Sequence, residues 1–306
     1  MRFFKKTNID FLKPRRWAYL ASSLLILAGI ISMVVKGIDF GIDFRGGTEL
    51  VLKFERPVEI GQLRTALGTV GLGQSQIKTF GSDESILIRT AETGSGTTVG
   101  NMIKDAVQKA LPDTKFTVLK EDKVGPKIGA ELRKDATYAV IASLIAILGY
   151  VAIRFKFIYG AGAVIALFHD VLTTMSVMSL LNGVIPGLNL EISLEVVAAL
   201  LTLVGVSVND TVVVFDRIRE NLKIHRTMSI GDVINKSQND MLGRTIITNG
   251  TIFLVLLVLL LGGGEVTRGF AFAMTIGTIT GSYSTIYIAS AIVLDWNLRK
   301  QKAAVK

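Results

Sequence analysis

The sequence predicts an α-helical polytopic membrane protein, with six spanning helices and a small α/β ferredoxin-like domain inserted after the first. Three observations carry that expectation. Half of the 306 residues are hydrophobic and only 19% are charged, with a mean hydropathy of +0.49; a soluble domain carries about 25% charge. The apolar residues cluster in runs near Trp17–Val35, Ala136–Ile153, Ile158–Leu181, Ile192–Phe215, Ile246–Leu261 and Phe270–Leu294. Each is long enough, or nearly so, to cross a ~30 Å hydrocarbon core at ~1.5 Å per residue. Lys and Arg gather beside those runs, as they do in the cytoplasmic loops of membrane proteins.

That placement of charge also excludes nucleic acid as the reason for the net charge of +9. With no Cys there is no disulfide framework, thiolate metal site or thiol redox chemistry. Two His residues, His169 and His225, are too few for an expected His-based metal site.

The elements follow in order. Arg2, Lys5, Lys6, Lys13, Arg15 and Arg16 resemble the n-region of a signal peptide. The apolar stretch behind them is too long for a typical h-region, and Val35-Lys36-Gly37-Ile38-Asp39 contains no small-x-small cleavage site. A retained first helix is expected, with residues 1–36 forming the cytoplasmic N-terminus and that helix. Residues 37–134 read as the extracytoplasmic domain. Thr48–Phe54 alternates as a strand, and Ile60–Val70 has helical spacing. Gln74–Phe80 and Ser85–Thr90 are strands around the turn Gly81-Ser82-Asp83, and Thr93–Gly96 is a flexible loop. Thr98–Leu111 is a helix with Thr98 as its cap, and Lys115–Leu119 is the last strand. The order β-α-β-β-α-β suggests a ferredoxin-like half-barrel. It contains no Ser/His/Asp, paired-carboxylate or Gly-rich phosphate site, so no enzyme and no cofactor are expected.

Residues 135–298 hold the other five helices, and 299–306 form the tail. Arg154 and Lys156 place the link between helices two and three in the cytoplasm. Asn182–Glu191 lacks Lys and Arg and faces out; Arg217–Arg244 is basic and faces in; Gly262–Arg268 faces out. The tail, with Arg299, Lys300, Lys302 and Lys306, faces in. Both termini are therefore expected inside. Ser229–Gly243 reads as a short amphipathic helix on the inner membrane surface, capped by Ser229. Ala273, Gly277, Gly281, Thr285 and Ala289 recur every four residues in the sixth span, a ridge that lets another helix approach closely; Gly160 and Gly162 read similarly.

Ionisable residues inside spans are costly and so point to function. Asp210 lies seven residues before Arg217, about 10 Å inside the expected boundary. Leu203, Ser207 and Asp210 share a helical face, with Thr202, Asn209 and Asp216 on the adjoining one. Asp210 therefore points into the bundle, where it is either a proton relay or half of a static pair with Arg244, which opens the fifth span. His169-Asp170 near the middle of the third span reads first as a hydrogen-bonded structural pair, and second as a further relay site. Glu191 and Glu195 read as interface residues.

Several motifs resemble those of the SecD/SecF export proteins: Phe40-Gly41-Ile42-Asp43-Phe44-Arg45-Gly46-Gly47, Val124-Gly125-Pro126-Lys127-Ile128-Gly129, Phe168-His169-Asp170, Gly243-Arg244-Thr245 and Gly263–Ala271. Ser207–Asn221 belongs to the same pattern, and within it the block Asn209–Asn221 resembles the SecF branch. The resemblance covers nearly the whole chain. It implies half of a pseudo-symmetric twelve-helix unit of the resistance-nodulation-division superfamily, completed by a SecD-like subunit in the bacterial inner membrane. It further implies the SecYEG channel and the translocating polypeptide as partners, YajC and YidC as further candidates, and the proton gradient as energy source. Carried over, Asp210 matches the intramembrane carboxylate and Arg244 its basic partner. Asn209, Asp216, Ser207 and Asp170 are read from the residues as a supporting polar cluster. Two other readings compete: half of a proton-driven efflux pump, and a non-conducting scaffold of the translocon.

Overall fold

The structure, a computed structural model, describes residues 7–94, 97–155, 157–185 and 188–304. Arg2, Lys5, Lys6, Ser95, Gly96, Lys156 and Lys306 of the expectations above lie outside the described residues. The chain divides into two compact units. One comprises Met1–Gly37, Val140–Leu180 and Ala198–Lys306; the other comprises Ile38–Ala139 and Leu181–Val197.

The first helix, α1, spans Arg15–Lys36 and ends at Gly37, whose φ of 77° no helical residue adopts. A single turn, α2 (Ile42–Arg45), lies inside the glycine motif. The folded insert then runs β1 (Gly47–Phe54), α3 (Ile60–Gly68), β2 (Gln76–Phe80), β3 (Ser82–Thr90), α4 (Thr98–Ala110) and β4 (Phe116–Val124). Its sheet has the order β2-β3-β1-β4, with every pair antiparallel, which is the ferredoxin-like arrangement. Several details differ from the sequence expectation: β2 starts at Gln76 rather than Gln74, and α3 ends at Gly68 rather than Val70. Residue Thr97, not Thr98, precedes α4. Strand β4 starts one residue later and runs five further, because it pairs along all of β1. The turn before β3 shrinks to Gly81 with φ 80°, since Phe80 already pairs with Ser82.

The two sheet faces have different chemistry. Leu50, Leu52, Phe54, Ile77, Ile86 and Ile88 point to one face and pack on Leu63, Leu67, Ile103 and Val107 of α3 and α4. Each such side chain contributes about 1.5–3 kcal/mol by leaving water. The other face carries Val51 and Leu87 beside the buried charges Glu49 and Arg89.

Among the described residues, six helices are long and apolar enough to cross a membrane. They are α1, α5 (Pro126–Arg154), α6 (Phe157–Leu181), α7 (Leu194–Ile224), α8 (Ile230–Gly262), and a last one built from α9 (Gly264–Ser284), a π-helical turn (Thr285–Ala289) and α10 (Ser290–Ala304). Helix α7 continues past Arg217 to Ile224. One boundary overturns the sequence reading. Ser229–Gly243 is not a separate surface helix but the first part of α8. Ser229 does cap it, its side chain accepting from Asp232 N at 3.1 Å. No proline interrupts the segment, and Gly243 alone costs only about 1 kcal/mol in a helix.

The small-residue ridge faces α7 within this chain. A Cβ on Gly277 would lie 2.6 Å from Leu203 Cδ2, and one on Gly281 would lie 3.3 Å from Ser207 Cβ. Gly162 packs against the Ala289 carbonyl at 3.0 Å on the same measure.

Candidate functional site

Asp210 is partly buried on α7. Its partner is Asn249 of α8, whose Nδ2 donates to Asp210 Oδ2 and also, over 2.6 Å, to Ser282 Oγ of α9. Asn249 Oδ1 is buried with no hydrogen-bond partner among the described residues. A carboxylate in this setting is stabilised by a charge-assisted bond from a neutral amide, not by a full positive charge. Arg244 is exposed and forms no ion pair with Asp210 among the described residues. It stands five residues before Asn249 on α8, about 7.5 Å along the axis, and its charge acts on Asp210 without an ion pair.

The supporting residues separate into three places. Ser207 donates to Asp170 Oδ2 over 2.5 Å and makes no bond to Asp210. Asp170 is 1% exposed and also accepts from Ser284 Oγ at 2.8 Å. Asp216 pairs with Arg154 at 2.8 Å. Asn209 is exposed on α7.

Four consecutive residues of the last span tie these places together. Ser282 bonds Asn249 of α8, Tyr283 donates to the Ala18 carbonyl of α1 at 2.9 Å, and Ser284 bonds Asp170 of α6. Thr285 Oγ1 lies 3.0 Å from Thr211 Oγ1 of α7. One helical turn cannot point four successive side chains at four helices unless it is surrounded, which places this segment at the centre of the bundle. The π-helical turn begins there, at Thr285. Such turns are rare and concentrate at functional sites. No group of three or more His, Asp or Glu side chains able to hold a metal ion occurs among the described residues.

Sequence reasoning singled out Asp210 and missed Asn249, Ser282 and the π turn. The signal for Asn249 was present: it is an amide within the apolar run Ile246–Leu261, and amides there hydrogen-bond other helices.

The second unit holds a charged cluster. Arg89 of β3 binds Glu49 of β1 through Nε at 2.9 Å and Glu191 at 2.7 Å. Lys78 of β2 reaches Glu191 at 3.4 Å, and Lys120 of β4 reaches Glu49 at 3.2 Å. Burial alone pushes the Glu191 pKa up, but the bond and charge of Arg89 and the charge of Lys78 outweigh it and hold it below its ordinary value. Burial likewise disfavours charged Arg89, yet Glu191 and Glu49 raise its pKa. The glycine motif closes this cluster. Gly41 N donates to the Ile192 carbonyl and Ile192 N to the Asp39 carbonyl, at 2.8 and 2.7 Å. Asp43 Oδ2 accepts from Leu194 N, the first residue of α7, at 2.9 Å. Gly47 has φ 123°, and a Cβ there would lie 2.2 Å from the Thr90 carbonyl oxygen, so only glycine fits.

Comparison with known proteins bears on the same elements. The family model described as protein export membrane protein SecD/SecF, C-terminal, matches residues 102–299. The SecD/SecF GG motif matches residues 31–58. The chain is 43% identical over 304 residues to protein translocase subunit SecF of Rhodothermus marinus, covering 99% of this chain and 97% of that one. It is 38% identical over 295 residues to the same subunit of Escherichia coli O157:H7, covering 95% and 89%. Among solved structures it resembles SecDF, a translocon-associated membrane protein from Thermus thermophilus, with a TM-score of 0.83 and 37% identity over 95% of this chain. It resembles SecDF in its super-membrane-facing form with a TM-score of 0.71 and 35% identity. The chain spans only 39% and 41% of those two SecDF chains, and nearly the whole of the separate SecF subunits. It is a multi-pass membrane protein, and it belongs to the SecD/SecF family of protein export membrane proteins, in the SecF branch.

Proposed function

We propose that this chain is the SecF half of a proton-driven export unit, paired with a SecD-like subunit and acting with the SecYEG channel on a translocating polypeptide, with YajC and YidC as further partners. It sits in the bacterial inner membrane with both termini cytoplasmic and residues 37–134 outside. It carries out no enzymatic reaction and needs no cofactor; the proton gradient is the energy source.

One observation supports the relay most: Asp210 is held inside a helix bundle by Asn249 rather than by a cation. A carboxylate tied to a basic partner stays ionised, whereas one facing an amide can take and lose a proton. Arg244 is near enough to act on it electrostatically, so a motion that changes this separation couples protonation to conformation. Moving one charge through the membrane field is worth about 2.3 kcal/mol per 100 mV, enough to bias two conformations.

The test is Asp210→Asn in the assembled complex, which keeps the shape and removes the titrating group. Slowed export of secreted proteins, with the SecD-like subunit still co-purifying, supports the relay. Export at the wild-type rate overturns it. Unchanged secretion with altered tolerance to toxic solutes points to efflux instead.

A further inference from the structure

A second carboxylate of the helix bundle, Asp170, has its proton count written in the hydrogen bonds around it. Tyr283 Oη lies 2.9 Å from the Ala18 carbonyl oxygen, an acceptor only, so the phenol must donate there. With its one hydrogen spent, Tyr283 accepts from Ser22 Oγ, 3.1 Å away. Ser22 has one hydrogen too, so toward His169 Nε2, at 2.9 Å, its oxygen can only accept. His169 Nε2 therefore carries a hydrogen. The ring is held in place by Tyr283, stacked on it with centroids 5.9 Å apart.

The other ring nitrogen, Nδ1, stands 3.1 Å from Asp170 Oδ1. This contact is attractive only if a hydrogen lies in it. If that hydrogen is on Nδ1, the pair is imidazolium and carboxylate. If it is on Oδ1, the pair is neutral imidazole and carboxylic acid. Both forms have zero net charge and hold the same number of protons. Asp170 Oδ2 is already occupied by the hydroxyls of Ser207 and Ser284. The groups facing the pair are Ser22 from α1, Ser207 from α7, and Tyr283 and Ser284 from the last span; among the described residues His169 is the only ion-pair partner of Asp170.

We propose that His169 and Asp170 form a second proton-holding site in the bundle, a net-neutral dyad that keeps one proton between Nδ1 and Oδ1. The dyad is 7% and 1% exposed. Neutrality is what lets a carboxylate rest there without Lys or Arg. The dyad shares no hydrogen bond with Asp210 among the described residues, and nothing in its derivation depends on the relay proposed there.

Two measurements on the reconstituted complex count the proton. The chain has two His, so with the histidine label confined to this chain before the complex is reconstituted, His225→Gln leaves one labelled imidazole, that of His169, in nitrogen-15 NMR. Nε2 is expected to carry hydrogen, and a neutral ring protonated only at Nδ1 overturns the proposal. Infrared spectra of wild type and Asp170→Asn then read the carboxyl. A neutral His169 requires a carboxylic acid band that is lost in the variant, and an imidazolium requires that no such band be lost. Either mismatch means a charged dyad and sinks the idea. The wild-type signals are expected to persist in Asp210→Asn, which separates this outcome from that of the relay test; loss of the Nε2 hydrogen there also counts against an independent site.

Discussion

At Asp210, the neutral side chain of Asn249 decides what the carboxylate can do. Removing it with Asn249→Ala forfeits a charge-assisted bond of about 1.5–3 kcal/mol. Export in membrane vesicles is expected to slow by about tenfold or more, at about 1.4 kcal/mol per factor of ten. An unchanged rate would make Asn249 a packing residue. Asp210 itself was legible in the sequence because an ionised group is costly inside an apolar run. Arg244 was legible as a basic residue, but its distance from Asp210 depends on how α7 and α8 pack, and no spacing along one helix encodes that. The tightest glycine is Gly29 of α1, where an added Cβ would lie 2.4 Å from Ser176 Cα. Backbone cannot yield as a side-chain tip can, so Gly29→Ala should destabilise the bundle by about 1–3 kcal/mol. A lowered thermal transition in detergent checks this, and wild-type stability would refute so close an approach of α1 to α6.

At the scale of elements, periodicity was a good guide where one face is buried and the other is not. The β-α-β-β-α-β order and the six apolar runs are of this kind. It failed at junctions, since the same 3.6-residue period runs through Ser229–Gly262 whether the helix lies on a membrane or enters it. It also had no means of showing the π turn, which needs only one residue more than an α-helix. The link between α6 and α7 has a readable pH dependence. Glu191 has a pKa lowered from 4.5 by Arg89 and Lys78 despite its burial. Its ion pairs thus stabilise the native link fully above about pH 4.5, and that contribution is lost as pH falls through the lowered native value. Asp43 has the opposite sign: burial raises its pKa above 3.8 although Leu194 N–H opposes this, so its contribution weakens as pH rises through that range. Hydrogen exchange at Ile192 N–H, which bonds the Asp39 carbonyl, is expected to quicken on acidification relative to the β1 amides. In Glu191→Gln this extra acid sensitivity should disappear. Asp43→Ala removes the acceptor at the start of α7, at a cost of about 0.5–2 kcal/mol, and should raise exchange at Leu194.

For the whole molecule, the decisive pattern is polarity on the outside of apolar helices. The most apolar windows of α5 and α8 are only 6% and 11% buried within the chain, so most of their surface meets either lipid or another protein. Exposed residues such as Val255, Val258 and Leu261 of α8 suit lipid. Asn209 and Thr202 are exposed on α7, and Arg244 is exposed on α8. An amide or guanidinium facing hydrocarbon is costly, whereas one facing another helix finds a partner. The face bearing Asn209 is therefore where the SecD-like subunit should dock, beside Asp210. The chain has no cysteine, so single-cysteine variants report without background. Asn209→Cys should crosslink to cysteines introduced in the spans of that subunit. Val258→Cys, at 72% exposure, should instead react with a membrane-soluble thiol reagent and give no crosslink. The reverse pattern would place the partner along α8 and leave Asn209 facing lipid, contrary to the energetics of a polar group there.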